Sequence, residues 1–385
     1  MASPNRAMLT LPFFDESHRQ FAERLQVFCA DKIETAFREA DTDPLDAGRE
    51  AIRLCAAEGL LARLVKTPAP DMRGICLIRE ALAARSGLAD AVFGVQGLGS
   101  YPIVLAGSAA LRKRYLPRVA TGEKIAAFAV TETEAGSDIR SIRTRARAEG
   151  SGYVIDGSKT LISNAGIADY YIVFAKIGDA SAGEKTRLSA FVVDADTPGL
   201  RVARQIPLLA PHPIGDLELQ KCRVPGDHRL GEEGDGLKIA LATLDRFRPS
   251  VGAAACGLAG RALDEAQGHV TRRTQFGHPL SSFQATKLSL ADMQTELDAA
   301  RLLVFRAAWL ADSRDGRFTR EASTAKLFAT EAAQRIVDRA VQLHGGRGVV
   351  RGVAVEQLYR EVRALRLYEG TSEIQRLIIA DHMLM

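Results

Sequence analysis

The 385-residue sequence lacks the long apolar run that a membrane-spanning helix requires. Such a helix needs about 18 or more predominantly apolar residues without interruption, so we predict no membrane span. The stretch Met1–Arg6 also lacks the hydrophobic centre of a secretory signal peptide. Neither sign of charge dominates, since 51 Lys and Arg against 47 Asp and Glu leave a formal net charge of +4. This balance gives no reason to predict nucleic-acid binding.

Cysteine is scarce and scattered, with five residues in the whole chain. No two of them form a C-x-x-C pair or another spacing that binds metal ions. We therefore predict free thiols in a reducing compartment, the cytoplasm, with neither disulfides nor a metal site. The cysteines are Cys29, Cys55, Cys76, Cys222 and Cys256.

Composition and length are those of a globular protein, with 46% hydrophobic and 25% charged residues. A chain of this size forms two or three domains or one large composite domain. Apolar residues at three- and four-residue spacing predict helices in the first and last thirds. Leu290 to Val304 repeats its apolar residues at a spacing typical of a helix-bundle seam, and Ala322 to Leu343 is a second long helix.

The middle of the chain has a β pattern, with short apolar runs separated by Gly, Asp and Pro. We predict an antiparallel β module there, with Asp156–Gly157 as a hairpin turn. The predicted strand segments are 127–130, 153–155, 170–174, 188–193 and 217–224. The glycine-rich run Gly94–Gly99 lies within the helical third, so it fails the strand-then-helix context of a dinucleotide-binding motif.

A candidate catalytic carboxylate lies near the end of the chain, in Tyr368-Glu369-Gly370-Thr371-Ser372. A carboxylate between apolar side chains acquires a raised pKa, which suits a general base. The following Gly-Thr-Ser can turn the backbone tightly and offer donors to an anion. A glutamate that caps or flanks a helix is the alternative interpretation of this segment alone.

Five segments in fixed order resemble motifs of the acyl-CoA dehydrogenase family of flavoproteins. They are 128–138 (FAVTETEAGSD), 157–165 (GSKTLISNA), 272–277 (RRTQFG), 342–346 (QLHGG) and the segment around Glu369. The similarity runs from about residue 13 to 380 and implies an α+β fold that is mainly α. The implied domains are N-terminal helical (1–125), central antiparallel β-barrel-like (126–235) and C-terminal four-helix bundle (236–385).

The resemblance implies that FAD accepts a hydride from the substrate β-carbon while Glu369 removes the α-proton, which forms a 2,3-enoyl thioester. The backbone N–H of Glu369 and a flavin hydroxyl would polarise the thioester carbonyl. Some family members carry the base at the position of Phe247, which cannot accept a proton. Electrons would pass to an electron-transfer flavoprotein.

The same resemblance assigns a set of cofactor-binding residues. Those expected along the flavin are Phe128, Val130, Thr131, Ile162 and Ser163, and those expected at its diphosphate are Thr371 and Glu373. Arg273, Gln275, Phe276, Gln342, Gly345 and Gly346 would reach the FAD of a partner subunit, which implies a homodimer or homotetramer. Strand packing is the alternative for Val130 and Ile162, and a backbone-bonding role is expected for His344.

Substrate contacts are implied for Ser137, Asp245, Arg248 and Gly370, although an ion pair between Asp245 and Arg248 is the alternative for these two. The chain departs from the family pattern at Thr133-Glu134, where a proline is usual. It also departs at Leu161, where an aromatic residue often covers the flavin, and in the loop 208–216 around His212. These departures are of the kind found in members that act on cyclic or otherwise unusual acyl groups.

Three other functions remain open at this point. The same fold can act as an oxidase that uses O₂, or on a thioester carried by an acyl-carrier protein. A flavin-binding subunit without turnover is the third, and the presence of Glu369 argues against it.

Overall fold

The computed structural model describes residues 6–37, 43–178, 187–313 and 318–384. Most of the N-terminal segment Met1–Arg6 therefore lies outside the described residues. The chain divides into two compact units. Unit 1 comprises Met1–Asp41, Met72–Asp90 and Asp245–Met385, and unit 2 comprises Thr42–Asp71 and Ala91–Leu244.

Helices occupy most of the described chain on both sides of a central run of strands. The α-helices are α1 (Arg6–Leu9), α2 (Glu16–Phe28), α3 (Glu34–Ala36), α4 (Pro44–Ala57), α5 (Met72–Ala83), α6 (Gly87–Ala106), α7 (Ala109–Ala120), α8 (Gly236–Arg272), α9 (Gln284–Ser313), α10 (Thr319–His344), α11 (Ala354–Val362) and α12 (Ser372–Leu384). The strands are β1 (Ala126–Ala129), β2 (Arg145–Glu149), β3 (Gly152–Ser163), β4 (Tyr170–Ile177), β5 (Arg187–Asp194), β6 (Leu200–Gln205), β7 (Ile214–Pro225), β8 (Arg229–Leu230), β9 (Thr274–Gln275) and β10 (His278–Pro279).

Unit 1 is a helical body in which α9 and α10 pack against each other and α5 packs on α9. The predicted seam of α9 is confirmed from Met293 onward, because Met293, Leu297, Ala300 and Val304 are buried. Its first residue, Leu290, is only half-buried. Helices α11 and α12 both pack on α10. This packing brings the chain segment between α11 and α12 onto the surface of α10, where the candidate base lies.

Unit 2 contains an eight-stranded sheet within the described residues, in the order β6-β7-β3-β2-β4-β5-β8, with β1 paired to β4. The predicted antiparallel character is confirmed for most neighbours. It is wrong for β1 and β2, which both run parallel to β4. The apolar face of this sheet forms a core that includes Ile155, Tyr171, Val173, Phe191 and Leu217.

The predicted hairpin turn at Asp156–Gly157 is wrong. Both residues lie inside β3, where the pairing with β7 shifts register between Ile155 and Gly157. Gly157 has φ 154°, and a Cβ there would lie 2.5 Å from Thr144 Oγ1. The turn falls earlier, where Glu149 of β2 pairs with Gly152 of β3. A glycine inside a strand marks an irregularity or a close approach as readily as a turn, and this one marks both.

Helix α6 is long and apolar enough to cross a membrane by length and composition, but 83% of its apolar stretch is buried inside the protein. It contains Gly94–Gly99, so the exclusion of a dinucleotide-binding loop is confirmed. The side-chain amide of Gln96 forms two hydrogen bonds with the backbone. Its oxygen accepts from Ala126 N and its nitrogen donates to Lys124 O, each at 2.8 Å. Its polarity is therefore used to anchor the start of β1.

All five cysteines are buried. Within the described ranges no group of His, Cys, Asp and Glu side chains has an arrangement that could hold a metal ion.

Candidate active site

Glu369 lies on a strained turn between α11 and α12 in unit 1. It has φ 53°, a left-handed conformation that is rare for a residue with a side chain, and Gly370 follows with φ 90°. The carbonyl of Gly370 accepts from Lys326 Nζ at 2.8 Å and from Gln375 Nε2 at 2.9 Å. The carbonyl of Glu369 accepts from Gln375 Nε2 at 3.3 Å and Arg248 Nε at 3.5 Å. These donors hold the turn in its strained shape.

The carboxylate of Glu369 is buried and incompletely bonded. Its Oε2 has no hydrogen-bond partner within the part of the chain that the structure describes. Burial raises the pKa of this carboxyl above its ordinary value, and the charges of Arg79, Lys326 and Arg248 oppose the rise. A carboxylate kept basic by burial, with a free oxygen, is suited to take a proton from a bound molecule.

The position where other members carry the base holds Phe247, and its side chain is fully buried. The next residue, Arg248, forms a close ion pair with Asp245. Asp245 also accepts from Thr319 Oγ1 at 2.7 Å. The ion pair that the sequence left as an alternative is thus present, and it orients Arg248 toward the Glu369 carbonyl.

Two residues that support this turn were not predicted from the sequence. Lys326 lies on the Ala-rich face of α10 between Ala325 and Ala329, and burial lowers the pKa of its ammonium to about 8. Arg79 lies in the apolar run of α5 and is 2% exposed. In both cases a single cation on an otherwise apolar helix face was the available signal, because such a residue is rarely buried without a partner.

Helix α12 begins directly after the turn. Thr371 caps it, since its Oγ1 accepts from Ile374 N at 3.3 Å. Ser372 Oγ donates to Glu331 Oε1 at 2.6 Å and fixes the first turn. The carboxylate of Glu373 bonds to Thr371 and to its own N–H, with Arg376 at 3.9 Å. Glu373 is thus already occupied by neighbours on its own helix.

The predicted adenosine-diphosphate contacts form one exposed group in unit 1. Arg273, Gln275 and Phe276 lie on and beside the short β9–β10 hairpin after α8, and Gln342, Gly345 and Gly346 lie at the end of α10. The rings of His269 and His344 stack at 4.3 Å and join these two helix ends. His344 also bonds through Nδ1 to Ala340 O at 2.8 Å, which confirms its backbone-bonding role.

This exposed group has the character of a ligand surface. Phe276 is 90% exposed and has φ 53°. A Cβ added at Gly345 or Gly346 would meet nothing within 4 Å, so the backbone there is open to close approach. Beside it, Arg273 offers a planar fork of donors that suits a diphosphate. An aromatic ring, an open backbone and a guanidinium fit the adenosine-diphosphate half of FAD.

In unit 2, a buried ion pair fixes the segment that follows β1. Glu132 accepts from Lys159 Nζ at 2.8 Å, from Thr144 N at 3.0 Å and from Thr144 Oγ1 at 2.6 Å. Lys159 also donates to Val130 O at 3.2 Å. Thr131 is tied to β3 through its carbonyl, which accepts from Thr160 N at 3.0 Å. The chain at Val130–Thr131 is therefore rigid.

The remaining residues predicted to bind the flavin or substrate lie close to β1 and β3 in unit 2. Phe128 is partly buried and packs edge-on against Phe174 at 5.0 Å. Ile162 is 1% exposed and belongs to the sheet core, so strand packing accounts for its side chain. Ser137 is exposed in the loop after β1. Leu161, with φ 54°, is half exposed.

Ser163 and His212 form a contact that the sequence did not predict. His212 Nε2 lies 2.7 Å from Ser163 Oγ, and this hydrogen bond joins the loop before β7 to the end of β3. Burial lowers the pKa of His212 to about 4, so its ring is neutral at physiological pH. Its Nδ1 is buried without a partner in the described residues.

The sequence matches three domains of acyl-CoA dehydrogenases in order. The N-terminal domain matches residues 15–123, the middle domain 127–222 and the C-terminal domain 234–384. The chain is thus an oxidoreductase built for a flavin cofactor. It belongs to the acyl-CoA dehydrogenase family, whose cofactor is FAD.

Named relatives span a range of substrates. The chain is 36% identical over 381 residues to the 3-(aryl)acrylate reductase of Clostridium sporogenes, covering 97% of this chain and 100% of that protein. It resembles the structure of butyryl-CoA dehydrogenase from Megasphaera elsdenii with a TM-score of 0.89 and 30% identity, covering 97% and 99% of the two chains. A glutaryl-CoA dehydrogenase from Mycobacterium smegmatis in complex with FADH2 matches with a TM-score of 0.88 and 27% identity, covering 99% and 98%.

Proposed function

We propose that the chain oxidises an acyl-CoA thioester to the 2,3-enoyl-CoA, with Glu369 as the base that removes the α-proton. The observation that carries this proposal is the Glu369 carboxylate itself, buried and with a free oxygen, on a turn whose carbonyls are held by three side chains. Burial makes the carboxylate basic enough to attack a weakly acidic α-proton. The charges of Arg79, Lys326 and Arg248 oppose that rise in pKa and favour the ionised form of the carboxyl.

Bound FAD supplies the acceptor for the β-hydride, so that one proton and one hydride leave the substrate together. Glu369 retains the proton when the enoyl product forms. The Glu369 backbone N–H is the proposed donor to the thioester carbonyl, where negative charge develops. Ser137 and Gly370 are proposed to contact the thioester or its carrier, and Asp245 acts through its ion pair with Arg248.

The cofactor is proposed to lie along Phe128, Val130, Thr131, Ile162 and Ser163, with its diphosphate near Thr371 and Glu373. The Ile162 contribution would come from its backbone, since its side chain belongs to the core. Arg273, Gln275, Phe276, Gln342, Gly345 and Gly346 are proposed to serve the FAD of a partner subunit. This sharing requires a homodimer or homotetramer, and the enzyme is proposed to be cytoplasmic.

Electrons are proposed to leave the reduced cofactor to an electron-transfer flavoprotein. The functional domains are proposed to be 1–125, 126–235 and 236–385. An aromatic or cyclic acyl group is the proposed substrate class. Its support is the similarity to an enzyme named for arylacrylates, together with the departures at Leu161 and the 208–216 loop.

An anaerobic titration tests the reaction. The purified FAD-loaded protein is mixed with straight, branched, cyclic and 3-arylpropanoyl CoA thioesters while the visible flavin absorbance is followed. We expect bleaching with at least one thioester and a slowing of about 10³-fold or more in Glu369→Gln, within the range that removal of a general base produces.

The control is Glu331→Gln. Glu331 lies on α10 and supports the turn by accepting a hydrogen bond from Ser372, but it offers no free oxygen to the substrate. Bleaching that persists at the wild-type rate in Glu369→Gln would overturn the assignment of the base. Rapid reoxidation of the bleached protein by O₂ would indicate an oxidase. Bleaching only by acyl-carrier-protein thioesters would replace CoA as the carrier.

A further inference from the structure

Arg79 is a buried arginine whose guanidinium is fixed from several sides. Its Nε and Nη2 donate to the two carboxylate oxygens of Asp90 at 2.8 and 2.9 Å, and Nη1 donates to Ser250 Oγ at 3.0 Å. Such a two-point contact leaves little freedom of rotation. Arg79 lies on α5, Asp90 in the first turn of α6 and Ser250 on α8. All three residues belong to unit 1, so this unit alone determines where the charge lies.

The same guanidinium reaches the turn that carries the base. Its charge lowers the pKa of the buried Tyr368 hydroxyl, in the residue immediately before Glu369, against the larger raising effect of burial. Of the cations that act on the Glu369 carboxyl, Arg79 has the largest effect, ahead of Lys326 and Arg248. Arg79 is therefore linked to the base by charge. Through Ser250 it is also anchored to the segment of α8 whose Arg248 donates to the Glu369 carbonyl.

We propose that Arg79 is a positioning residue for catalysis: held by Asp90 and Ser250, it places a fixed positive charge at the turn that carries Tyr368 and Glu369. The inference rests on the proposed role of Glu369 as the base. It adds to that role a fixed source of positive charge, which no motif of the sequence indicated.

Other charged groups around Glu369 cannot replace Arg79. Lys326 has a pKa lowered to about 8 by burial, so its charge fades at alkaline pH, whereas a guanidinium keeps its charge. Arg248 is in a close ion pair with Asp245, and its effect on the Glu369 carboxyl is smaller than that of Arg79. On the negative side, Asp90 opposes ionisation of Glu369.

Three further acidic or ionisable groups complete the surroundings of Glu369. Glu331 on α10 and Glu373 on α12 act on Lys326. Glu361 on α11 is affected by Asp90, and burial raises its pKa to about 7. A pH profile of the variants must therefore be compared with that of the wild type, in which all these groups are present.

A purely structural ion pair is the competing explanation, and the chain provides a matched control for it. Arg301 on α9 donates from Nε to Glu80 Oε1 at 2.8 Å, and the two side chains are 5% and 0% exposed. This pair lies in the same unit and is as deeply buried as Arg79–Asp90. Arg301 is not among the groups with the largest effects on the Glu369 carboxyl.

The experiment measures the rate of flavin bleaching against pH, in single anaerobic mixing, for the wild type, Arg79→Met, Arg79→Lys, Asp90→Asn and Arg301→Met. For Arg79→Met we expect the apparent pKa of the base to rise by about one unit. At the acidic end of the pH profile this shift makes bleaching about tenfold slower, because a smaller fraction of the base is ionised. For Asp90→Asn we expect a shift in the opposite direction. Arg79→Lys should restore most of the wild-type profile, because it keeps the charge.

Arg301→Met should lower the thermal unfolding midpoint without moving the pH profile. Opposite shifts in the Arg79 and Asp90 variants cannot come from general loss of packing. An equal loss of rate at every pH in Arg79→Met, or the same shift in both variants, would show that the pair is only structural.

A second readout does not need turnover. The infrared band of the protonated carboxyl that disappears in Glu369→Gln is followed against pH in the wild type and in Arg79→Met. A titration that moves to higher pH in Arg79→Met supports the inference, whether or not a thioester bleaches the flavin. If no thioester does, only the proposed reaction fails. An unmoved titration overturns the inference even if the reaction is confirmed.

Discussion

At the scale of single residues, the conformation of Glu369 is the least ordinary feature of the chain. A residue with a side chain in the left-handed region costs roughly 1–2 kcal/mol, and here the next residue is left-handed as well. The bonds from Lys326 and Gln375 to the two carbonyls offset this cost. The strain fixes the direction of the carboxylate and is therefore part of the site.

Gly370→Ala is expected to damage both the turn and the reaction. The new Cβ would lie 2.5 Å from Gln375 Nε2 in a backbone at φ 90°, so the side chain that holds the turn must move. We expect a loss of about 2–4 kcal/mol in unfolding free energy, from backbone strain and overpacking together. Thermal unfolding and flavin bleaching measure the two effects.

Gly352→Ala is the matched control for that change. Gly352 has φ 89°, and a Cβ there would meet nothing within 4 Å. It should therefore show the strain alone, about 1 kcal/mol, with bleaching at the wild-type rate. If the two variants lose the same stability and both keep their rate, contact with Gln375 is not what supports the turn.

Residues of the site were predictable where chemistry is local. Glu369, Gly370 and Thr371 lie together in the sequence, and the absence of a carboxylate at Phe247 is visible there. Arg79 and Lys326 escaped prediction because their proximity to Glu369 arises from helix packing between segments far apart in the chain. A charged residue in an apolar run shows that a partner is needed, but not which residue provides it.

At the scale of elements, the long helices were predicted well because their apolar spacing repeats over many turns. Strand β2 was missed, since in Arg145-Ala146-Arg147-Ala148-Glu149 only Ala146 is buried. The Asp156–Gly157 error has a related cause. Glycine is common both in turns and at strand irregularities, and only the pairing with β7 distinguishes the two.

The loop before β7 is expected to make stability depend on pH through His212. Its folded pKa of about 4 lies below the ordinary value of 6.5. The unfolded chain therefore binds the proton first as the pH falls, so stability present above about 6.5 is lost progressively toward about 4. Thermal unfolding of His212→Gln should show a flatter dependence across this window than the wild type.

The matched control for the loop is His382→Gln, which changes an exposed histidine on α12. Its pH dependence should follow that of the wild type. A His212→Gln profile that is parallel to the wild-type profile between pH 6.5 and 4 would contradict the buried neutral ring.

At the scale of the whole molecule, the exposed group around Arg273 bears on the proposed sharing of FAD between subunits. Arg273→Met should release FAD more readily. The unfolding temperature of the FAD-free protein should stay that of the wild type, because the side chain is exposed. Mixed oligomers of Arg273→Met and Glu369→Gln subunits should regain bleaching. In them, one site combines an intact Glu369 with an intact partner arginine.

Arg272→Met is the control, since it removes the neighbouring exposed charge. It should retain FAD as the wild type does. If differently tagged Arg273→Met and Glu369→Gln subunits copurify and stay as inactive as either parent, each subunit binds its cofactor alone. Bleaching that is restored in proportion to the amount of mixed oligomer supports an FAD site shared between subunits.

Unit 1 is assembled from three separate stretches of chain, and this has a consequence for biosynthesis. Glu80 emerges from the ribosome 221 residues before its partner Arg301. Met72, whose backbone N–H donates to the Asp312 carboxylate, emerges 240 residues before Asp312. Until these partners have been synthesised, the N-terminal helices contain charged groups that cannot be buried without a large cost in free energy. Nascent chains stopped before Arg301 should therefore depend on chaperones, and completion of the helical unit must await the end of translation.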